Sequence, residues 1–189
     1  MTPATDRPLT AALHAAVERD RSPADRLYAI ADAARQPLLA RAGFELFDLE
    51  RYSLFPPNTA PHMNAVGPYL IPVPFAPRYP FPESGYFDLW SERLGASGGF
   101  LLTSAADLRA VWEHLREIFL VADESGNEFF FRYYDPRVVR GFLPTLTATE
   151  AKQFFGPVRR IFVEADGGTE LLVARPTDTG VRIDRRPLE

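Results

Sequence analysis

Between Glu128 and Val158 the chain reads EFFFRYYDPRVVRGFLPTLTATEAKQFFGPV, and no other stretch leaves so few choices of local structure. Phe129 to Tyr134 are aromatic apart from Arg132, a composition that suits a pleated strand. Asp135-Pro136 predicts a helix start. Proline at the first helical position gives up an amide that has no partner there, and the aspartate before it accepts from the free amides that follow. Thr147 to Glu150 predicts a second helix start, and Gly156-Pro157 stops that helix. Within the strand, Phe129, Phe131 and Tyr133 face one way and Phe130, Arg132 and Tyr134 the other. A guanidinium taken out of water needs an acceptor, and Asp32 or Asp135 is expected to serve. The segment reads as a rigid aromatic support with arginines set into it. Tyrosine and arginine are side chains that anchor protein interfaces.

Nine of the 18 prolines fall between Pro56 and Pro82. Each removes a backbone donor, so the segment is expected to be neither a helix nor a central strand. Tyr69 to Val73 is read as an edge strand. The remainder is read as an extended surface loop carrying Phe75, Tyr79, Phe81 and Tyr86, whose rings either meet a partner or fold back onto the domain.

The other elements follow from periodicity. Leu9, Ala12, Leu13, Ala16 and Val17 mark an amphipathic helix over residues 7–19. Leu27 to Ala31 is a short buried strand with Asp32 at its end. Pro37 opens a short helix that Gly43 stops, and Phe87, Trp90 and Leu94 mark a helix ending at Gly95. Phe100 to Thr103 is a second buried strand. Ser104 is expected to cap the next helix, with Asp107 at the capping-box position and Leu108, Val111, Trp112, Leu115 and Ile118 as its apolar stripe. Strand, helix and strand over residues 100–134 form a βαβ-like pattern, so the flanking strands are expected to be parallel. Arg159 to Glu164 and Thr169 to Ala174 flank an Asp-Gly-Gly turn, and Val181 to Asp184 adds a further strand. The expected fold is α/β: one domain with a mixed β-sheet flanked by helices, plus a C-terminal hairpin or meander. Its parts are an N-terminal helix (1–22), a main domain (23–165) containing the proline-rich loop 56–82, and a β extension (166–189).

Composition excludes several functions. A net charge of −4 and a pI near 5.5 give no general basic footprint for nucleic acid. Cysteine is absent, which removes disulfides, thiolate catalysis and cysteine metal sites. His14, His62 and His114 lie far apart and form no metal-binding spacing. Ser84-Gly85 and Ser97-Gly98 lack a nucleophile elbow, and Gly95 to Gly99 lacks the lysine and hydroxyl of a phosphate loop. Asp32, Asp88, Asp123 and Asp135 sit at element ends, where carboxylates act as caps. The N-terminus has no signal-peptide pattern, and no run of apolar residues is long enough to span a bilayer. The expectation is a cytoplasmic protein that is not an enzyme, holds no cofactor or metal, and binds neither nucleic acid nor membrane.

Several motifs occur in order: Tyr28-Ala29-Ile30-Ala31-Asp32, Ser53-Leu54-Phe55, Gly67-Pro68-Tyr69-Leu70, and Gly99-Phe100-Leu101-Leu102 ahead of Asp107-Leu108-Arg109. After them come Phe131-Arg132-Tyr133-Tyr134-Asp135-Pro136-Arg137, Phe142-Leu143-Pro144-Thr145-Leu146 and Phe155-Gly156-Pro157-Val158. Over roughly residues 26–164 the chain resembles the effector chaperones, or adaptors, of type VI secretion. It departs from that family in reading Ala-Asp-Ala-Ala around Asp32, where the family tends to have Asp-Gly-Ala. The first 20 residues and the tail past Ala165 lie outside the resemblance. The resemblance implies a bacterial cytoplasmic protein that binds a toxic effector and the secretion spike protein, and leaves the identity of the cargo open. The candidate protein-binding residues are Arg132, Tyr134 and Arg137, with Tyr69, Phe75, Tyr79 and Phe81 as a second surface. Asp32, Asp135, Pro136, Gly156 and Pro157 are the candidate structural frame. Arg137 is expected to be exposed, because a cation opposes the dipole at a helix N-terminus; reversing its charge is then expected to leave stability unchanged. The alternatives are an immunity protein that neutralises a cognate toxin and a small hydrolase using Asp32 and Asp135.

Overall fold

A computed structural model of the chain describes residues 8–74, 84–123, 125–165 and 167–188. In chain order its elements are α1 (Pro8–Asp20), β1 (Arg26–Asp32), α2 (Pro37–Glu45), β2 (Tyr52–Ser53), α3 (Pro61–Asn64), β3 (Pro68–Val73), α4 (Ser84–Ser91), β4 (Gly99–Ser104) and α5 (Leu108–Glu117). They continue with β5 (Leu120–Ala122), β6 (Glu128–Phe130), α6 (Pro136–Phe142), a 3-10 turn (Leu143–Thr145), α7 (Ala148–Phe155), β7 (Val158–Glu164), β8 (Glu170–Thr177) and β9 (Gly180–Pro187).

Seven strands form one sheet in the order β2-β3-β1-β4-β7-β8-β9, every neighbouring pair antiparallel. The side-chain alternation of β1 divides the core. Tyr28 and Ile30 join Phe100, Leu102, Ile161 and Val163 beneath α5, α6 and α7. Leu27, Ala29 and Ala31 join Ile71, Leu101, Phe162 and Val173 beneath α1, α2 and α4. With helices on both faces, all six residues of the central strand β4 are buried, which is why it reads as a continuous apolar run. The fold is therefore α/β, a sheet between two helical layers with a C-terminal β7-β8-β9 meander. No helix among the described residues is long and apolar enough to cross a membrane.

Five local expectations change, the first being that the proline-rich segment holds no helix: Pro61–Asn64 forms the one-turn α3, with Pro61 at its start where the missing amide breaks no bond. The βαβ-like pattern gives no parallel pair: β4 lies antiparallel between β1 and β7, and the aromatic run belongs to a separate two-stranded ribbon of β5 and β6. Only Glu128–Phe130 of that run is strand. From Phe131 the chain turns inward, because Tyr133 and Tyr134 are taken into the core. Ser104 does not cap α5; its hydroxyl donates to the Pro157 carbonyl (2.7 Å), and Asp107 caps instead, accepting from the Ala110 amide (2.9 Å). Helix α2 continues past Gly43 to Glu45.

Strand β3 lies inside the sheet at its start and becomes the edge beyond the two-residue β2. Its prolines are tolerated because of their parity. Ala33 donates to the Gly67 carbonyl, and Leu54 donates to the Pro68 carbonyl from the β2 side. Odd-numbered residues of β3 therefore bond β1, and Pro68 and Pro72 turn outward, where the missing amide breaks no bond to β1. The Gly95–Gly99 segment is a turn, as expected. The buried Glu164 carboxylate pins it by accepting from the amides of Gly95 and Ser97, both at 2.6 Å.

Gly156 closes α7 with φ of 50° and ψ of −117°, and a methyl group there would run into the His114 ring. That ring bonds the Phe154 carbonyl through Nε2 (2.9 Å), so it has little freedom to move aside. Gly156→Ala is expected to lose at least about 2 kcal/mol in urea unfolding, through backbone strain and displacement of His114.

Candidate functional site

The segment after β6 is rooted by two tyrosines. Tyr133 is fully buried and donates to the Leu115 carbonyl (2.7 Å); burial pushes its phenol well above the ordinary range. The Tyr134 ring stacks on Phe119 with centroids 5.9 Å apart and planes 4° apart. Both are buried and fixed by packing, so Tyr134 supports the cluster from within the core.

Asp135 follows and is the hub of the site. Its side chain is only 2% exposed, yet it meets two guanidiniums and a helix terminus. Oδ1 accepts from the Arg137 amide (3.0 Å) and from Arg137 Nε (3.0 Å); Oδ2 accepts from Arg137 Nη2 (2.6 Å) and Arg132 Nη2 (3.3 Å). Pro136 stands at the first position of α6, where its missing amide costs nothing. Burial alone would raise the Asp135 pKa, but hydrogen bonds and charge from Arg137, with help from Arg132, hold it below the usual carboxylate range. Arg137 is about half exposed, in line with the exposure expected of it, but its guanidinium is held. It forks onto the capping carboxylate, which offsets the unfavourable dipole and gives the arginine a structural role.

Asp32 comes to the same place from the end of β1. Its Oδ1 accepts from the amides of Ala34 (3.0 Å) and Arg35 (3.4 Å), which fixes the turn into α2. Burial pushes its pKa up and the nearby Asp135 charge adds to the rise, while the two amides and Arg132 oppose it. Arg132 also lies over the Tyr134 ring, 5.8 Å from its centroid. Asp32, Arg132, Tyr134, Asp135 and Arg137 therefore form one cluster, with both guanidiniums about half exposed. Two carboxylates biased in opposite directions resemble an acid–base pair. Here Asp135 is occupied by donors from the protein, and neither carboxylate lines the cleft at Trp90 and Glu164 or the larger one, of about 510 Å³, at Tyr28 and Leu108.

Beside the cluster stands the β5–β6 ribbon. Leu120 faces Phe130 across it, and Val121 faces Phe129. Asp123 closes the turn, accepting from the amides of Ser125 and Asn127 and from Asn127 Nδ2, each at 2.9 Å. Phe130 leans on Phe119 and Phe55, with centroids 5.5 and 6.2 Å away, yet remains 58% exposed. Leu120, on the same face as Phe130, is exposed too, and on the other face Phe129 is 54% exposed beside an exposed Val121. A two-stranded ribbon is marginal by itself, and one with large apolar side chains in water on both faces has the character of a partner site.

The sequence reading placed Phe129 and Phe130 in a strand and missed their exposure. The signal was present: Leu120-Val121-Ala122 and Glu128-Phe129-Phe130 flank a short glycine-containing turn, which marks a hairpin. Tyr69 lies on the opposite face of the sheet from Tyr134, donates to the Asn64 carbonyl (2.6 Å) and is covered by Arg51, 5.1 Å from its ring centroid. It does not join the cluster. Tyr86, expected on the surface loop, belongs to α4 and is fully buried. Phe75, Tyr79 and Phe81 fall outside the described residues. Gly156 and Pro157 end α7, away from the cluster, where the Pro157 carbonyl anchors Ser104.

The model of one protein family, a domain of unknown function called DUF4123, matches residues 27–153, about two-thirds of the chain. No curated protein and no solved structure matches. The matched span contains the whole cluster and the ribbon, ends within α7, and leaves out β7, β8 and β9.

The two aspartates are expected to respond to pH in opposite ways. The depressed pKa of Asp135 stabilises the fold above the ordinary carboxylate pKa and ceases to do so as pH falls through its folded value. Asp135→Asn is therefore expected to lose about 2–3 kcal/mol at neutral pH, with the deficit shrinking below about pH 4. The raised pKa of Asp32 costs stability as pH rises, so Asp32→Asn, which keeps an oxygen for the turn amides, is expected to be at least as stable as wild type at neutral pH. Urea unfolding at neutral and acid pH measures both.

Proposed function

We propose that this chain, which belongs to the DUF4123 family, is a non-catalytic adaptor that grips a type VI secretion effector and helps load it onto the secretion spike protein in the bacterial cytoplasm. The observation that carries this reading is the β5–β6 ribbon, with Leu120, Val121, Phe129 and Phe130 in water within the family's own span. An apolar segment of the effector closing over both faces would take those side chains out of water at about 25 cal/mol per Å² buried, before the cost of association. The same contact would cover a segment of the effector that otherwise aggregates.

The arginine cluster supplies the rim. Asp135 holds both guanidiniums in place before any partner arrives, so less side-chain freedom is lost on binding. Their solvent-facing N–H groups suit carboxylates of the effector, and such rim charges steer and select partners more than they tighten binding. A surface built to sequester a toxin segment would also serve an immunity protein. The two roles differ in consequence: loss of an adaptor stops secretion, and loss of an immunity protein kills the producing cell.

The test separates the ribbon from the clamp. Val121→Ser combined with Phe129→Ser changes only the bare face, so the variant is expected to fold with an unchanged unfolding midpoint, to lose co-purification of the effector that wild type captures, and to abolish that effector's secretion. Unchanged capture and secretion would remove the ribbon from the interface. Arg137→Glu is unsuited to this purpose, because it sets a second carboxylate against Asp135 and is expected to destabilise the fold.

A further inference from the structure

The two edges of the sheet are finished differently. On one side β2 is two residues long, and beyond it Pro72 turns outward with no amide to offer, which discourages further pairing. On the other side β9 is eight residues long and pairs with β8 alone. Leu188 donates to the Thr169 carbonyl, so even-numbered residues of β9 bond β8 and Val181, Ile183 and Arg185 direct their backbone groups outward. Among the described residues no backbone group meets them; the Arg185 carbonyl takes one bond, from Arg186 Nη1 (3.2 Å). No proline interrupts this edge before Pro187.

The side chains of β9 are arranged for company of one kind. Val181 and Ile183 pack toward the core beneath α7. On the other face Arg182 pairs with Asp184 in the same strand (3.0 Å), and Arg186 bonds Asp20 of α1 (3.0 Å). We propose that β9 pairs antiparallel with β9 of a second copy of this chain, centred on Ile183, so that the two sheets continue into one another. Charge selects both the occupant and the register. Centring on Arg182 sets that arginine opposite itself, and centring on Asp184 sets Asp184 against its copy and Arg182 against Arg186. Centring on Arg185 opposes that arginine to its copy and, although it sets Asp184 against Arg186, brings Pro187, which has no amide to donate, opposite Ile183. Centring on Ile183 places Arg182 opposite Asp184 of the partner copy and Asp184 opposite its Arg182, in the close non-hydrogen-bonded positions where cross-strand pairs interact most. Val181 then faces Arg185 of the second copy, Ile183 faces Ile183, and Arg185 faces Val181, exchanging about six main-chain hydrogen bonds. The contact involves neither the ribbon nor the arginine cluster and stands whether or not the adaptor reading holds.

Mass measured by light scattering across the micromolar range tests this. Wild type is expected at twice the 21.2 kDa of the chain. Arg182→Asp and Asp184→Arg each set like charges opposite their own copies and are each expected to weaken dimerisation by at least about tenfold. Mixing the two variants restores opposite charges at both positions, so the mixture is expected to form a heterodimer near wild-type strength. Wild type that stays monomeric, single variants that dimerise as wild type does, or a mixture that fails to recover would each overturn the proposal.

Discussion

The carboxylate of Asp135 holds together what the rest of the site depends on. It caps α6, receives the fork of Arg137 and takes a bond from Arg132, all while almost wholly withdrawn from water. Such a group is costly to bury unless every oxygen is used, and here both are. The residues before it are equally fixed, Tyr133 by its bond to Leu115 and Tyr134 by stacking on Phe119. The result is a rigid root from which the β5–β6 ribbon projects. The stability of the root permits the ribbon to keep apolar side chains in water.

The same logic explains why the two carboxylates of the cluster differ. Asp135 is paired with cations and stays charged; Asp32 is satisfied mainly by two backbone amides and pays for its burial with a raised pKa. Asp32 stands at the end of β1 and Asp135 at the start of α6, close enough for the Asp135 charge to act on Asp32. The opposite bias follows from this structural arrangement, with no catalytic role required to account for it.

Much of this was legible in the sequence because local chemistry decided it. Asp135-Pro136 and Thr147 to Glu150 start helices by capping, and no tertiary contact could easily override either. The meeting of Arg132 with Asp135 was legible for the same reason, since they are three residues apart. What failed were inferences about partners distant in sequence. Strand order depends on which faces are covered, so strand-helix-strand suggested a parallel pair where β4 instead lies antiparallel between β1 and β7. Ser104 was a plausible cap, but the Pro157 carbonyl, 53 positions away, claims its hydroxyl. The exposure of Phe129 and Phe130 was hidden because aromatic residues so seldom face water that burial was the natural inference. The prolines of β3 misled until their parity was known: a donor missing on the outward side leaves the bonds to β1 intact.

Hydrogen–deuterium exchange on the protein, free and bound to an effector recovered with it, addresses the central claim most directly. If the ribbon is the grip, amides over residues 119–131 slow markedly in the complex while the buried core strands, already protected, change little. Exchange over those residues that is identical in the free and bound protein, with protection appearing at another surface, would contradict the account.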